Sequence, residues 1–176
     1  HDHSRFLTRT NSRTGRLASA DSDAASEGIN YDVFRQGVVM QMTLPGAPTV
    51  YYGDEAGLCG WTDPDNRRTY PWGRENVDLI EFYKKAIKVH KKLEVLKTGS
   101  YMVLNVDSGM LSYARFDEKS AVVTAVNTTD EPKDFHIPVW KLGVKGSEYS
   151  KIMATGQDWY DIKSNKDAER VNADEG

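Results

Sequence analysis

The apolar residues of this chain change period at one place, between Lys97 and Ser100. Before it they recur with helical spacing. After it they alternate. A pattern of one period cannot settle into the other structure, so the chain must pass from helical to β architecture there. In the first part, Val33, Gly37, Met40 and Leu44 fall on one helical face, with Phe34, Val38 and Met42 beside them. Asn30 is the candidate cap and Pro45-Gly46 the stop. A second helix is predicted from Val77 to about Leu93, capped by Asn76. Its apolar side carries Leu79, Ile80, Tyr83, Ala86, Ile87 and Leu93. Lys84, Lys85, Lys88, Lys91 and Lys92 form its solvated side, crowded toward the C-terminal end, where cations suit the helix dipole. Between the helices, Pro48–Tyr52 reads as a strand buried on both faces, as in a parallel sheet, ended by Gly53. Gly57, Gly60, Pro64, Pro71 and Gly73 mark 53–75 as a long loop.

Beyond Gly99, Tyr101–Val106, Met110–Phe116 and Ala121–Val126 read as strands. Asp107-Ser108-Gly109 and Asp117-Glu118-Lys119 are the turns between them. Lys133–Ile137 and Tyr149–Met153 are further strand candidates. The stretch 18–28 reads as loop or short helix, and 161–176 is charged and aperiodic. The fold class is therefore α/β plus all-β: helix, strand, loop and helix over 1–97, then a small antiparallel β-sandwich over 98–176. The first segment suits either an α/β barrel or a doubly wound sheet.

Composition removes several function classes. The 23 Lys and Arg are offset by 26 Asp and Glu, giving a net charge of −3. No basic stripe is left for nucleic acid. No apolar run approaches the roughly 20 residues of a membrane helix. The single cysteine, Cys59, excludes an intramolecular disulfide and a cysteine-based zinc site. It leaves the compartment open.

Chemistry concentrates in His1-Asp2-His3-Ser4-Arg5, Asp54-Glu55 and Asp63-Pro64-Asp65-Asn66-Arg67-Arg68. The first, at a free amino terminus, is also a pattern for square-planar Cu(II) or Ni(II). Asp63-x-Asp65 begins like a calcium loop but lacks the glycine and late glutamate that would complete one. Asp54 and Glu55 follow the predicted strand directly. They can accept backbone amides where the chain turns, or stand as carboxylates at a barrel mouth. Asp63 and Arg67 are four residues apart in a Gly/Pro-bounded loop. They can bridge each other, or they can grip adjacent sugar hydroxyls, the carboxylate accepting and the guanidinium donating. Trp61, Tyr70 and Trp72 lie nearby in sequence and offer flat faces of the kind sugars stack on.

Three of these segments carry a resemblance. His1-Asp2-His3-Ser4-Arg5-Phe6-Leu7-Thr8 resembles the strand-seven motif of the α-amylase family of glycoside hydrolases. Gly46-Ala47-Pro48-Thr49-Val50-Tyr51-Tyr52-Gly53 is similar to that family's strand-eight pattern G-x-P-x-x-x-x-G. Asp63–Trp72 resembles the following loop in neopullulanase, cyclomaltodextrinase and maltogenic amylase-like members. The three occur in the family's order. The resemblance implies that 1–97 is the last part of a (β/α)8 TIM barrel, from the end of strand seven through helix eight, and that 98–176 is the C-terminal β-sandwich, with both ends of the chain cut short.

The implied roles follow residue by residue. Asp2 stabilises the oxocarbenium-like transition state, and His1 hydrogen-bonds hydroxyls of the same sugar. Asp63 and Arg67 hold glucose further toward the non-reducing side. Gly46, Pro48 and Gly53 shape strand eight, Arg5 anchors its loop by an internal ion pair, and Asp54 and Glu55 are architectural. The family's nucleophilic aspartate and acid glutamate lie upstream of the His-Asp motif, so this chain alone is expected to be inactive. The implied ligand is an α-glucan or malto-oligosaccharide from starch, pullulan or cyclodextrin, with no cofactor. Calcium is compatible with the parent but gains no support from these residues. Self-association, or association with the rest of the barrel, is expected from the unpaired edges of Thr49–Tyr52. The compartment stays open, with secreted favoured over cytoplasmic for a bacterial-type enzyme. The alternative is a non-catalytic carbohydrate-binding or structural β-sandwich module, using Tyr113, Trp140 and Trp159 as exposed aromatics.

Overall fold

The computed structural model describes residues 2–12, 23–134, 136–144, 148–155 and 170–172. The chain parts into two compact units. One comprises His1–Val38 with Pro48–Lys85, the other Val39–Ala47 with Ala86–Gly176. No helix among the described residues is long and apolar enough to cross a membrane.

The first unit begins with a short helix, α1 (Phe6–Arg9), and a 3-10 turn at Asp23–Ser26. The helix α2 spans Tyr31–Thr43. Asn30 caps it as the sequence predicts: its Oδ1 accepts from the amides of Asp32 (2.9 Å) and Val33 (3.1 Å). Two otherwise unsatisfied donors of the first turn are thereby paired. Gly37 sits inside this helix at a cost of about 1 kcal/mol relative to alanine. The compensation is contact, because a Cβ there would stand 2.2 Å from the Phe6 ring. Phe6 lies 5.4 Å from Phe34, centre to centre, and Phe34 lies 6.2 Å from Tyr83. Leu7, Phe34, Val38, Leu79 and Phe82 are buried around this aromatic run. The second long helix, α3, spans Val77–Lys92, with the Leu79 amide donating to Asn76 Oδ1 at 3.0 Å. Burial of its Tyr83 raises that phenol's pKa well above the usual range, so the ring is neutral.

The expected strand at Pro48–Tyr52 is not formed. Residues 47–51 have no regular structure and a turn follows from Tyr52. Thr49 is exposed and Tyr52 is 42% exposed, so the segment is not buried on both faces. A strand exists through its ladder, and no neighbouring strand among the described residues pairs with this one. The turn itself is as predicted: Gly53 takes φ +84°, and its carbonyl accepts from the amides of Ala56 and Leu58.

In the second unit, α4 (Val95–Thr98) leads through Gly99 into an antiparallel sheet of order β1-β2-β3: β1 Ser100–Asp107, β2 Met110–Phe116 and β3 Ala121–Asn127. The three strands and both turns match the alternation in the sequence. The ladder skips Leu104, between Val103 and Asn105, and Leu104 is buried with Ala114 and Leu142. Met102, Phe116, Val123, Ile137 and Val144 pack on that cluster. Asp117 Oδ1 accepts from the amides of Lys119 and Ser120, both at 2.8 Å, which closes the second turn.

Two buried groups of the central strand bind backbone or side-chain partners rather than ligands. Arg115 donates to the carbonyls of Leu96 (2.8 Å) and Gly99 (2.9 Å), at the end of α4, where a cation is favoured. Tyr113 is wholly buried, with its hydroxyl 2.7 Å from Thr43 Oγ1 and its ring 5.7 Å from Tyr101. It therefore offers no face to a sugar, against the expectation for the β module. Trp140 is 57% exposed, and Trp159 lies outside the described residues.

Lys133–Ile137 forms no strand over its described residues. Pro132 and Pro138 bracket it and cannot donate to a ladder. The last candidate appears shorter, as β4 (Glu148–Ser150), paired antiparallel with β5 (Arg170–Asn172).

Candidate active site

Everything the sequence marked as chemical on 1–75 belongs to the first unit, and Arg5 is its hub. Only 3% of the residue is exposed. Its Nε donates to the Asn66 carbonyl at 2.9 Å, and its Nη1 to the Tyr52 carbonyl and to Asp54 Oδ1, each at 2.8 Å. The guanidinium carbon lies 4.5 Å from the centre of the Tyr51 ring and 4.9 Å from that of Tyr52. Buried Nη2 has no hydrogen-bond partner among the described residues. The aromatic faces offset that missing acceptor by cation–π attraction. The anchoring ion pair expected for Arg5 is thus present, with Asp54 as its partner. Burial raises the Asp54 pKa, against the opposing pull of Arg5. The ion pair fits an architectural Asp54. Glu55 Oε2 is buried without a hydrogen-bond partner among the described residues.

The loop after the Tyr51-Tyr52 turn is fastened to the segment that carries Asp2. The Arg5 amide donates to the Gly60 carbonyl, and the Gly60 amide to Thr8 Oγ1, both at 2.9 Å. Asn66, fully buried, donates from Nδ2 to the His3 carbonyl at 2.8 Å. Gly60 is required for this closure, since a Cβ there would meet the Asp65 carbonyl oxygen at 2.7 Å and the Asn66 Cα at 2.9 Å. Asp65 is already paired with a cation, Arg68. Its carboxylate accepts from Arg68 Nε (2.9 Å) and Nη2 (2.7 Å) and from the Trp61 amide (2.8 Å). Partial burial pulls its pKa up, but those bonds outweigh it and hold the carboxyl below its ordinary value. Among the described residues no three His, Cys, Asp or Glu side chains gather as a metal site.

Asp63 and Arg67 do meet: Arg67 Nε lies 2.8 Å from Asp63 Oδ1, with both side chains about half exposed at 46% and 48%. An exposed pair of this kind is worth at most about 1 kcal/mol, so it can exchange its partner for a ligand's hydroxyls at small cost. Asp2 is exposed at the start of the described chain, next to the tethered His3. His1 lies outside the described residues. The aromatic frame divides. The Tyr70 and Trp72 rings lie 4.5 Å apart, centre to centre, tilted by 48°, with Trp72 80% exposed, whereas Trp61 is buried. Sequence reasoning assigned no role to Asn66. Its one legible sign is an amide side chain placed between Asp63 and Arg67.

No protein-family model matches the chain. Relatives are nonetheless clear. An amylopullulanase of Thermoanaerobacter thermohydrosulfuricus is 39% identical over 118 residues, covering 65% of this chain and 8% of that protein. Neopullulanase 2 of Thermoactinomyces vulgaris is 33% identical over 149 residues, covering 82% of this chain and 23% of its own length. A solved structure of an Anoxybacillus α-amylase superposes on 100% of this chain with a TM-score of 0.71 and 25% identity, using 32% of that structure. The chain is homologous to part of these α-amylase family enzymes. It spans less than a quarter of the length of either relative. The three motifs that resembled this family in sequence are the segments that Arg5, Gly60 and Asn66 hold together.

Proposed function

We propose that the chain is part of a retaining α-glucan hydrolase, the end of the barrel and the β-sandwich that follows it, acting on starch, pullulan or cyclodextrin. The observation that carries this reading is the half-exposed Asp63–Arg67 pair on a loop hydrogen-bonded to the Asp2 segment. In this mechanism one carboxylate attacks the anomeric carbon while another protonates the leaving oxygen, and both belong to strands other than those present here. Asp2 stabilises the positive charge that develops on the sugar ring and accepts its hydroxyls. His1 donates to the same sugar. Asp63 accepts and Arg67 donates to a glucose further along, so a chain of α-linked residues is read at two places. The 176-residue chain alone supplies no attacking carboxylate and acid at those positions, and it hydrolyses nothing.

Two measurements test this. The coding sequence upstream of His1 should encode an aspartate on strand four and a glutamate on strand five, and lack of either removes the enzyme reading. Purified 176-residue chain should release no reducing sugar from starch, and measurable release would contradict the division of labour.

A further inference from the structure

We infer that Asn66 is a positioning residue that sets the spacing between Asp2 and the Asp63–Arg67 pair. The inference rests on the reading just given. Asn66 lies three residues after Asp63 and one before Arg67, and it is fully buried. Its side chain does not close its own turn through Nδ2. It reaches 63 residues back along the sequence, to the His3 carbonyl at 2.8 Å, one residue from Asp2. Its main chain adds a second tie, since its carbonyl accepts from Arg5 Nε at 2.9 Å. The two flanking groups that would bind sugar are exposed, while the residue between them is locked. Asn66 thus resembles a rivet: it touches no ligand, yet a substrate spanning both sites must match the distance it fixes. A substrate with a single glucose on the non-reducing side engages only Asp2 and is indifferent to that distance.

The test uses the longer protein that carries this segment, with Asn66→Asp and Asn66→Ser. The first keeps the volume and loses the donor. The second shortens the side chain and keeps a donor. kcat and KM are measured on p-nitrophenyl α-maltotrioside and on p-nitrophenyl α-glucoside, alongside melting temperature. Misplacement on the ångström scale predicts that kcat/KM for the maltotrioside falls by about 10- to 100-fold, with a much smaller fall for the glucoside. The ratio of the two is the readout that a purely structural role does not move. Equal losses on both substrates, or no loss, overturn the inference while leaving the enzyme reading intact. Failure of both variants to fold makes Asn66 a residue of the fold only and also overturns it. A wild-type protein inactive on both substrates removes the enzyme reading itself, and the inference falls with it.

Discussion

Arg5 and Asp65 illustrate opposite uses of charge in one unit. Arg5 is buried and spends its donors on two carbonyls and Asp54. Arg5→Met should leave Asp54 without its cation and lower unfolding stability by about 3 kcal/mol, read by urea denaturation. A change within error would mean that Asp54 is rescued by water. Asp65 is held below its ordinary pKa of 3.8 by Arg68 and the Trp61 amide. The folded protein therefore binds that proton less readily than the unfolded chain. Its stabilisation is present above pH 3.8 and is lost as pH falls through the depressed folded value. Exposed Asp117, also depressed by its turn amides, has the same sign. Asp54, raised by burial, has the opposite sign: its ionisation works against the fold as pH rises past 3.8. Asp65→Asn should flatten the acid limb of the stability–pH profile, and an unchanged limb would show that the Arg68 bonds are not formed in solution.

The elements divide by how local their causes are. Asn30→Ala should cost about 1 kcal/mol, measured by thermal unfolding, because one side chain caps α2 without other support. That helix, α3 and the hairpins β1-β2-β3 were legible because caps, turn residues and periodicity lie within each segment. The strand expected at Pro48–Tyr52 was not, because its apolar run describes a slot between neighbours, and the neighbours are not among the described residues. Lys133–Ile137 failed for a local reason that the sequence did contain, its bracketing prolines. Site residues were half legible. The ion pair of Asp63 with Arg67 was one of two readings that the spacing allowed, and the resemblance implied an ion pair for Arg5 without naming Asp54 as its partner. The tie from Asn66 to His3 crosses 63 residues, and no pattern in the chain announces it. Gly60→Ala tests the loop as an element. The new Cβ would meet backbone atoms of Asp65 and Asn66, which cannot swing aside as a side chain can. About 2 kcal/mol of stability should be lost, with the Asn66–His3 bond broken. The Asn66 side-chain amide resonances read that bond directly, and their persistence would show that the loop absorbs the methyl group.

At the scale of the molecule, the proposed function makes the chain one wall of a site. The chain covers 8% of one curated relative and 23% of another, and the proposal assigns bond cleavage to groups on other strands. Under the proposed function it would contribute charge stabilisation at Asp2 and the reading of a second sugar by Asp63 and Arg67. The measurement that bears most directly on this is the kcat of Asp2→Asn in the longer protein, on pullulan or cyclodextrin. Asparagine keeps the shape and one acceptor oxygen but removes the negative charge that the proposal places against the oxocarbenium-like ring. Loss of one such preorganised electrostatic contact should lower kcat by about 100-fold or more while KM changes little. A kcat equal to that of the wild type, with the fold intact, would contradict the assignment of Asp2 and with it the account of what this chain does.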